Sequence, residues 1–208
     1  MRIETTAARA SAAIIALIGW AGLAVQLTAS TSQTGSAADA IWEMLRFFTV
    51  STNLLAAVVL TGVAFGRPAF RSGSLLALTA LSMLFVGVTY VLLLRGLLEL
   101  SGGAATANVI LHYIMPILTP LFWLLFAPKA RLEWRDPVVW AAYPVAYFAY
   151  ALARGAADGK YPYPFMDIPK IGWPATLTTV AIMLIAYVLV GTIFVWLGRV
   201  MDRTQSET

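Results

Sequence analysis

The sequence predicts an all-α, polytopic membrane protein: a bundle of six transmembrane helices with both termini in the cytoplasm. The 208 residues are 60% hydrophobic and only 12% charged, and their mean hydropathy is +0.80. Ordinary soluble domains carry about a quarter charged residues. The apolar residues also gather into long runs, and the cations are distributed unevenly between the segments that join these runs. Together these observations indicate a membrane protein.

Six apolar runs are long enough to span a bilayer, because a hydrocarbon core about 30 Å thick needs ~17–25 helical residues. They cover residues 10–27, 47–65, 75–94, 109–126, 137–153 and 175–197. Backbone groups in lipid must be satisfied within the segment, which favours helices over strands. The segments between the runs are short and polar, so we expect one domain over residues 1–208.

The first run has two interpretations. It follows Arg2 and ends in small residues at Leu27-Thr-Ala-Ser, a pattern that secretory signal peptides share. Signal-peptide cores are about 7–15 residues long, whereas this run has the length of a span. We interpret it as a retained first helix, with cleavage as the alternative.

The Lys and Arg residues predict which side each loop occupies, since cytoplasmic loops carry an excess of them. With the N-terminus inside, nine cations fall in inner segments and five in outer ones. The inner ones are Arg2, Arg9, Arg67, Arg71, Lys129, Arg131, Arg135, Arg199 and Arg203. The outer ones are Arg46, Arg95, Arg154, Lys160 and Lys170. Both termini are therefore expected in the cytoplasm.

Composition excludes several chemistries. The chain has no cysteine, which rules out disulfides and thiolate catalysis. One histidine and scattered carboxylates cannot supply the usual metal ligand sets, and no phosphate-binding glycine loop or dinucleotide motif is present. We therefore expect no metal and no cofactor. The dispersed cations favour a topology signal over a nucleic-acid surface.

His112, the only histidine, opens the fourth run, and Thr49 opens the second on the same predicted side. An ionisable group at membrane depth is a functional hypothesis by default. A hydroxyl attacks poorly without a base, and imidazole is the side chain suited to that role near neutral pH. Thr49, Thr52 and Asn53 share one helix face by spacing. These residues predict a Thr49 nucleophile with His112 as its base, and Asn53 or a backbone N–H at the oxyanion.

Structural interpretations of the same residues stay open. Threonine, asparagine and histidine also join transmembrane helices by hydrogen bonds, and a threonine hydroxyl can bond back to its own helix. Pro116 lies four residues after His112, where it removes a backbone donor and is expected to bend the helix.

A tyrosine stripe on the fifth run ends at Tyr150 and Arg154, which lie four residues apart. Such stripes are more often packing, and tyrosine favours membrane interfaces. The functional interpretation makes Tyr150 and Arg154 substrate-binding candidates, with Arg154 meeting a carboxylate.

Three segments resemble a known family. They are Tyr163-Pro-Phe-Met-Asp167 before the last run, Phe48-Thr49 at the second, and His112 followed by Pro116 at the fourth. In order and placement they resemble the androgen-induced-gene family of six-helix integral-membrane hydrolases, including its bacterial branch. The resemblance spans essentially the whole chain.

The resemblance implies that Thr49 is the nucleophile and His112 its catalytic partner. It also implies a lipid-ester substrate, notably fatty-acid esters of hydroxy fatty acids, and for the bacterial branch an inner-membrane location. We expect the lipid to enter from the outer leaflet. Tyr163 is a further substrate-binding candidate, and Asp167 a candidate to orient His112.

The rival hypothesis is a non-catalytic membrane protein: a small transporter, a lipid-binding module or an assembly factor. Transporters usually bury broken helices near the midplane, often in paired halves. Here the polar features lie near one surface and no halves are evident. The distance between the Thr49 hydroxyl and the His112 ring separates the hypotheses, since catalysis requires them to approach hydrogen-bonding range.

Overall fold

The computed structural model describes residues 2–97 and 99–206. These residues are all-helical, with 84% in helices and none in a strand. In chain order, the α-helices are α1 (Thr6–Thr34), α2 (Ala37–Met44), α3 (Phe48–Ala64), α4 (Gly73–Thr89), α5 (Gly102–Val109), α6 (Met115–Phe126), α7 (Asp136–Trp140), α8 (Ala142–Asp158) and α9 (Ile168–Ser206). Two π-helical turns, Tyr90–Leu94 and Ile110–Ile114, extend α4 and join α5 to α6.

Four helical stretches in the described residues are long and apolar enough to cross a membrane. They are Thr6–Thr34, Gly73–Leu94, Gly102–Phe126 and Ile168–Arg203. The pair α2 and α3, bent by 97°, makes a fifth if it is one span. The predicted run 137–153 is helical as α7 and α8, but it is not among these stretches. The fold is therefore that of a helical protein with several membrane-spanning helices, and the six-span count stays a prediction.

The chain divides into two compact units. The first comprises Met1–Leu132 with Gly198–Thr208, and the second comprises Glu133–Leu197. The single six-helix domain stays a prediction.

In the first unit, α1 packs against α3 and α5, and α4 packs against α6. Small residues allow α1 to approach the histidine-bearing helix closely. A Cβ at Gly22 would lie 2.6 Å from Ile110 Cγ2, so a larger residue there would force the Ile110 side chain to shift. This close packing holds the π-turn Ile110–Ile114 against α1.

The sharp bend between α2 and α3 decides where Thr49 lies. Helix α2 ends at Met44 and α3 begins at Phe48. Between them, Arg46 is buried and forms an ion pair with Glu43 at 3.2 Å. The bend therefore places Thr49 in the first turn of α3.

In the second unit, α7 leads directly into α8 through Ala141, and the long helix α9 is broken at Gly172, where φ is +78°. Large apolar side chains of α9 stay exposed, as expected of a surface that faces lipid. They include Ile182, Ile185, Leu189 and Ile193.

Candidate active site

Thr49 and His112 meet across two helices. The Thr49 Oγ1 lies 3.2 Å from His112 Nε2, although the residues are 63 positions apart in sequence. Thr49 is buried, with 7% of its surface exposed, and His112 is half-buried. The two side chains that the sequence analysis paired thus lie within hydrogen-bonding distance.

The direction of the Thr49 hydroxyl follows from its place in the helix. Threonines deeper in helices, such as Thr61 and Thr79, bond back to the carbonyl four residues earlier. Thr49 is the second residue of α3, and four residues before it the chain is still at the C-terminal end of α2. Its hydroxyl therefore turns away from its own helix, towards His112.

The hydrogen bonds of His112 settle which ring nitrogen carries the proton. Nδ1 lies 3.3 Å from the backbone carbonyl oxygen of Asn108. A carbonyl can only accept, so Nδ1 carries the proton and donates it. In the neutral imidazole Nε2 is then unprotonated and accepts a hydrogen bond from the Thr49 hydroxyl. This polarity is the one that a hydroxyl nucleophile and its base require.

Asn53 fastens the two helices beside this pair. It is fully buried, and its Nδ2 donates to the Thr49 carbonyl at 2.9 Å and to the Leu111 carbonyl at 3.2 Å. Both amide protons are thereby used. Its Oδ1 is buried and meets no donor among the described residues.

The Leu111 carbonyl is open to Asn53 because of the π-turn and the proline that follows it. The Met115 N–H donates to Ile110, five residues back, and so bypasses Leu111. The next N–H in this register would come from Pro116, which has none. The π-turn ends just before Pro116, and the Asn53 amide supplies the missing donor.

Two residues that the sequence analysis did not single out complete the arrangement. The Tyr90 ring packs on the His112 imidazole, with centroids 4.2 Å apart and planes tilted by 32°. The Asn108 Nδ2 donates to the Tyr90 hydroxyl at 2.8 Å. Asn108 therefore binds both the ring and the tyrosine that covers it. The only sequence signal is their position: each polar group lies about one turn from a helix end or from His112.

Helix α4 lies in close contact with the start of α6 at Gly87. A Cβ there would lie 2.7 Å from the Pro116 Cβ, and 3.5 Å from the carbonyl oxygen of His112. The absence of a side chain at Gly87 thus lets the two helices meet at the turn that carries the histidine.

The remaining candidates belong to the second unit. Arg154 is buried, receives support from Asp158 at 3.6 Å, and donates to the Tyr150 hydroxyl at 2.8 Å. The two substrate-binding candidates, Tyr150 and Arg154, are therefore in direct contact with each other.

Tyr163 and Asp167 flank a short 3₁₀ turn, Pro164–Met166. Tyr163 is buried and stacks on Phe165 with centroids 5.1 Å apart, and Asp167 forms an ion pair with Lys170 at 2.7 Å. Their predicted roles stay predictions.

Among the residues described, no group of three or more His, Cys, Asp or Glu side chains could hold a metal ion. No family model matches the chain, and no solved structure matches it significantly. The site must therefore be interpreted from its own geometry.

Proposed function

We propose that this protein is an integral-membrane hydrolase of lipid esters that uses Thr49 as nucleophile and His112 as base. One observation carries the proposal. The Thr49 Oγ1 lies 3.2 Å from Nε2 of His112, and Nδ1 of the same ring is hydrogen-bonded to the Asn108 carbonyl. A nucleophile, its base and a group that orients the base are the elements of activated hydroxyl catalysis.

The reaction has two balanced halves. Nε2 takes the Thr49 proton while Oγ1 attacks the acyl carbon, and the imidazolium then gives that proton to the departing alkoxide. An acyl-threonine ester remains. Water attacks it with His112 again as base, and the carboxylic acid leaves as Thr49 regains its proton.

The oxyanion is expected to meet backbone rather than the Asn53 side chain. The amide protons of Asn53 already donate to two carbonyls, and its remaining Oδ1 is an acceptor that would repel an anion. The Thr49 N–H lies in the first turn of α3, where the residue at the N-cap, Phe47, provides no side-chain cap. Helix N-terminal N–H groups suit a developing negative charge. Asn53 then acts as an orienting residue.

A lipid substrate fits the surroundings of the pair. Short helix α2, which bends into α3 just before Thr49, exposes Ile41 and Trp42, with 47% and 56% of their surfaces accessible. Exposed apolar side chains on the helix that leads into Thr49 favour an apolar substrate that arrives from the bilayer. The resemblance to the androgen-induced-gene family suggests fatty-acid esters of hydroxy fatty acids.

For topology, the proposal places six spans in the inner membrane, with both termini in the cytoplasm and Thr49 and His112 near the outer leaflet. The excess of cations in the inner segments, nine against five, supports this orientation. Tyr150, Arg154, Tyr163 and Asp167 remain candidates for binding or orienting the lipid.

Hydrolysis of a panel of fatty-acid esters by the purified full chain tests the function. We expect Thr49→Ala to reduce kcat/KM by on the order of 10³ or more, because no other hydroxyl in the described part of the chain is hydrogen-bonded to the base. His112→Gln should lower kcat/KM by a similar factor. The double variant should lose no more activity than either single variant, since the two groups act as a unit. Ser51→Ala is the matched control, because that hydroxyl donates to the Phe48 carbonyl on its own helix. Full activity in Thr49→Ala would end the proposal, and a wild-type protein inactive on the whole panel would favour a non-catalytic role.

A further inference from the structure

Two arginines converge at the far end of α3 from Thr49. We call Arg9 and Arg71, which both lie beside Gly66, the arginine pair. Thr49 and Ala64 lie 15 residues apart on α3, which corresponds to about 22 Å along the helix. The arginine pair is therefore remote from the candidate active site, and the inference below does not depend on the proposed function.

Arg9 is fixed at the C-terminal end of α3. Its Nε donates to the Ala64 carbonyl at 3.0 Å, a favourable place for a cation because helix C-termini carry partial negative charge. The side chain is exposed, and its terminal amines meet no acceptor among the described residues. Part of its hydrogen-bonding capacity is thus unused.

Arg71 is held from the opposite side. Its Nη1 donates to Glu4 Oε1 at 3.0 Å, and the neighbouring Ile3 is fully buried, which anchors the N-terminal turn. The Nε is buried and has no partner in the described part of the chain, and Nη2 also donates to no protein atom there. These two nitrogens form one of the forks with which a guanidinium binds an oxyanion.

Gly66 lies beside both guanidinium groups. Its φ is +71°, and the position of a Cβ would lie 2.9 Å from Arg71 Nη2 and 3.6 Å from Arg9 Nη2. Like charges beside the same glycine repel each other, and Glu4, which is more than half exposed, is the one carboxylate among the described residues that forms an ion pair with either of them. An anion between the two forks would relieve this repulsion.

We propose that the arginine pair binds a phosphate group. Arginine forks match phosphate oxygens in geometry and charge, and two of them on different segments can share one phosphate. The pair lies where apolar helix α3 ends, the depth at which lipid headgroups meet a membrane protein. The phosphate belongs either to an anionic lipid headgroup or to free phosphate, and the experiment distinguishes these sources.

The test measures thermal unfolding of the full chain in a phosphate-free, non-ionic detergent, followed by its tryptophan fluorescence. Separate samples receive phosphatidylglycerol, inorganic phosphate, or diacylglycerol as a phosphate-free lipid, at constant ionic strength. We expect phosphatidylglycerol to raise the midpoint by about 3 °C or more. A comparable rise with inorganic phosphate assigns the site to free phosphate, and a rise with phosphatidylglycerol alone assigns it to a headgroup.

Variants decide whether the arginine pair is responsible. Arg9→Gln and Arg71→Gln should each abolish the rise, whereas Arg67→Gln, an exposed neighbour with the same change of charge, should retain it. Glu4→Gln keeps both arginines and removes the competing carboxylate, so a several-fold lower phosphatidylglycerol concentration should give half the rise. The proposal is overturned if neither phosphate compound raises the midpoint, if diacylglycerol matches phosphatidylglycerol, if Arg67→Gln loses the rise as well, or if Glu4→Gln binds more weakly.

Discussion

Asn53 joins backbone carbonyls that belong to two different helices. Its spacing from Thr49 places it on the correct helix face, and this much follows from the sequence. Its bond to Leu111 could not be predicted, because that carbonyl is open only when the π-turn and Pro116 act together. The partners of a buried amide depend on backbone register in a distant segment, and local sequence patterns do not report this.

We expect Asn53→Asp to destabilise the protein more than Asn53→Ala does. Removing the amide costs about 1–3 kcal/mol, since two buried carbonyls each lose a donor. The aspartate adds a buried carboxylate that faces two carbonyl oxygens, which costs more. Thermal unfolding in detergent checks the order of the two variants. An Asn53→Asp protein as stable as the wild type would show that the amide does not hold these helices.

Tyr90 and Asn108 are site residues that sequence patterns could not identify. Both lie near the ends of apolar runs, where polar side chains are common, and nothing in their spacing marks them as neighbours of His112. The stacking of Tyr90 on the ring depends on how α4 packs against the turn that carries His112. Thr49 and His112 could be paired from sequence because each opens a run on the same predicted side.

At the scale of elements, the π-turn Ile110–Ile114 sets the direction of His112. The sequence predicts a disturbance at Pro116, and the structure places it within the preceding turn. The close contacts of Gly22 with Ile110 and of Gly87 with Pro116 hold that turn from two sides. Packing of three helices, rather than the proline alone, therefore determines the geometry.

We expect Gly87→Ala to disturb both stability and activity. The added Cβ would come within 2.7 Å of the Pro116 Cβ, which belongs to a rigid ring, so the helices must separate. Overpacking of this kind costs about 1–3 kcal/mol, and the shift should weaken the approach of His112 to Thr49. Thermal unfolding and ester hydrolysis are the two measurements.

Gly103→Ala is the matched control, because a Cβ there meets Val25 and Ala29 at ordinary distances of 3.7 and 3.8 Å. It should leave both quantities unchanged. If Gly87→Ala behaves like Gly103→Ala, the close contact with Pro116 does not position the histidine.

At the scale of the whole molecule, four of the six predicted apolar runs lie within helical stretches that are long enough to span a membrane. They do not predict that the second run forms part of a pair bent by 97° with α2. The bend lies where Arg46 and Glu43 interrupt the apolar pattern and pair with each other. Hydropathy reports which residues avoid water, but not where a chain turns within the interface.

The absence of cysteine makes the proposed topology directly testable, because an introduced cysteine is then the only thiol that a maleimide can label. Ala38 and Ala69 are exposed and lie before and after helix α3. A membrane-impermeant maleimide on intact cells should label Ala38→Cys, and should label Ala69→Cys only after permeabilisation. The reverse labelling pattern would show that the protein has the opposite orientation in the membrane. Labelling of both variants in intact cells would show that α3 does not cross the membrane between them.

The most direct test of the central claim is to locate the adduct that an alkyl fluorophosphonate forms with the purified protein. Peptide mass spectrometry should find the phosphonate on the Thr49 side chain, with no adduct after Thr49→Ala and an unchanged one after Ser51→Ala. An adduct on another residue, or full modification of Thr49→Ala, would contradict the assignment of Thr49 as the nucleophile activated by His112.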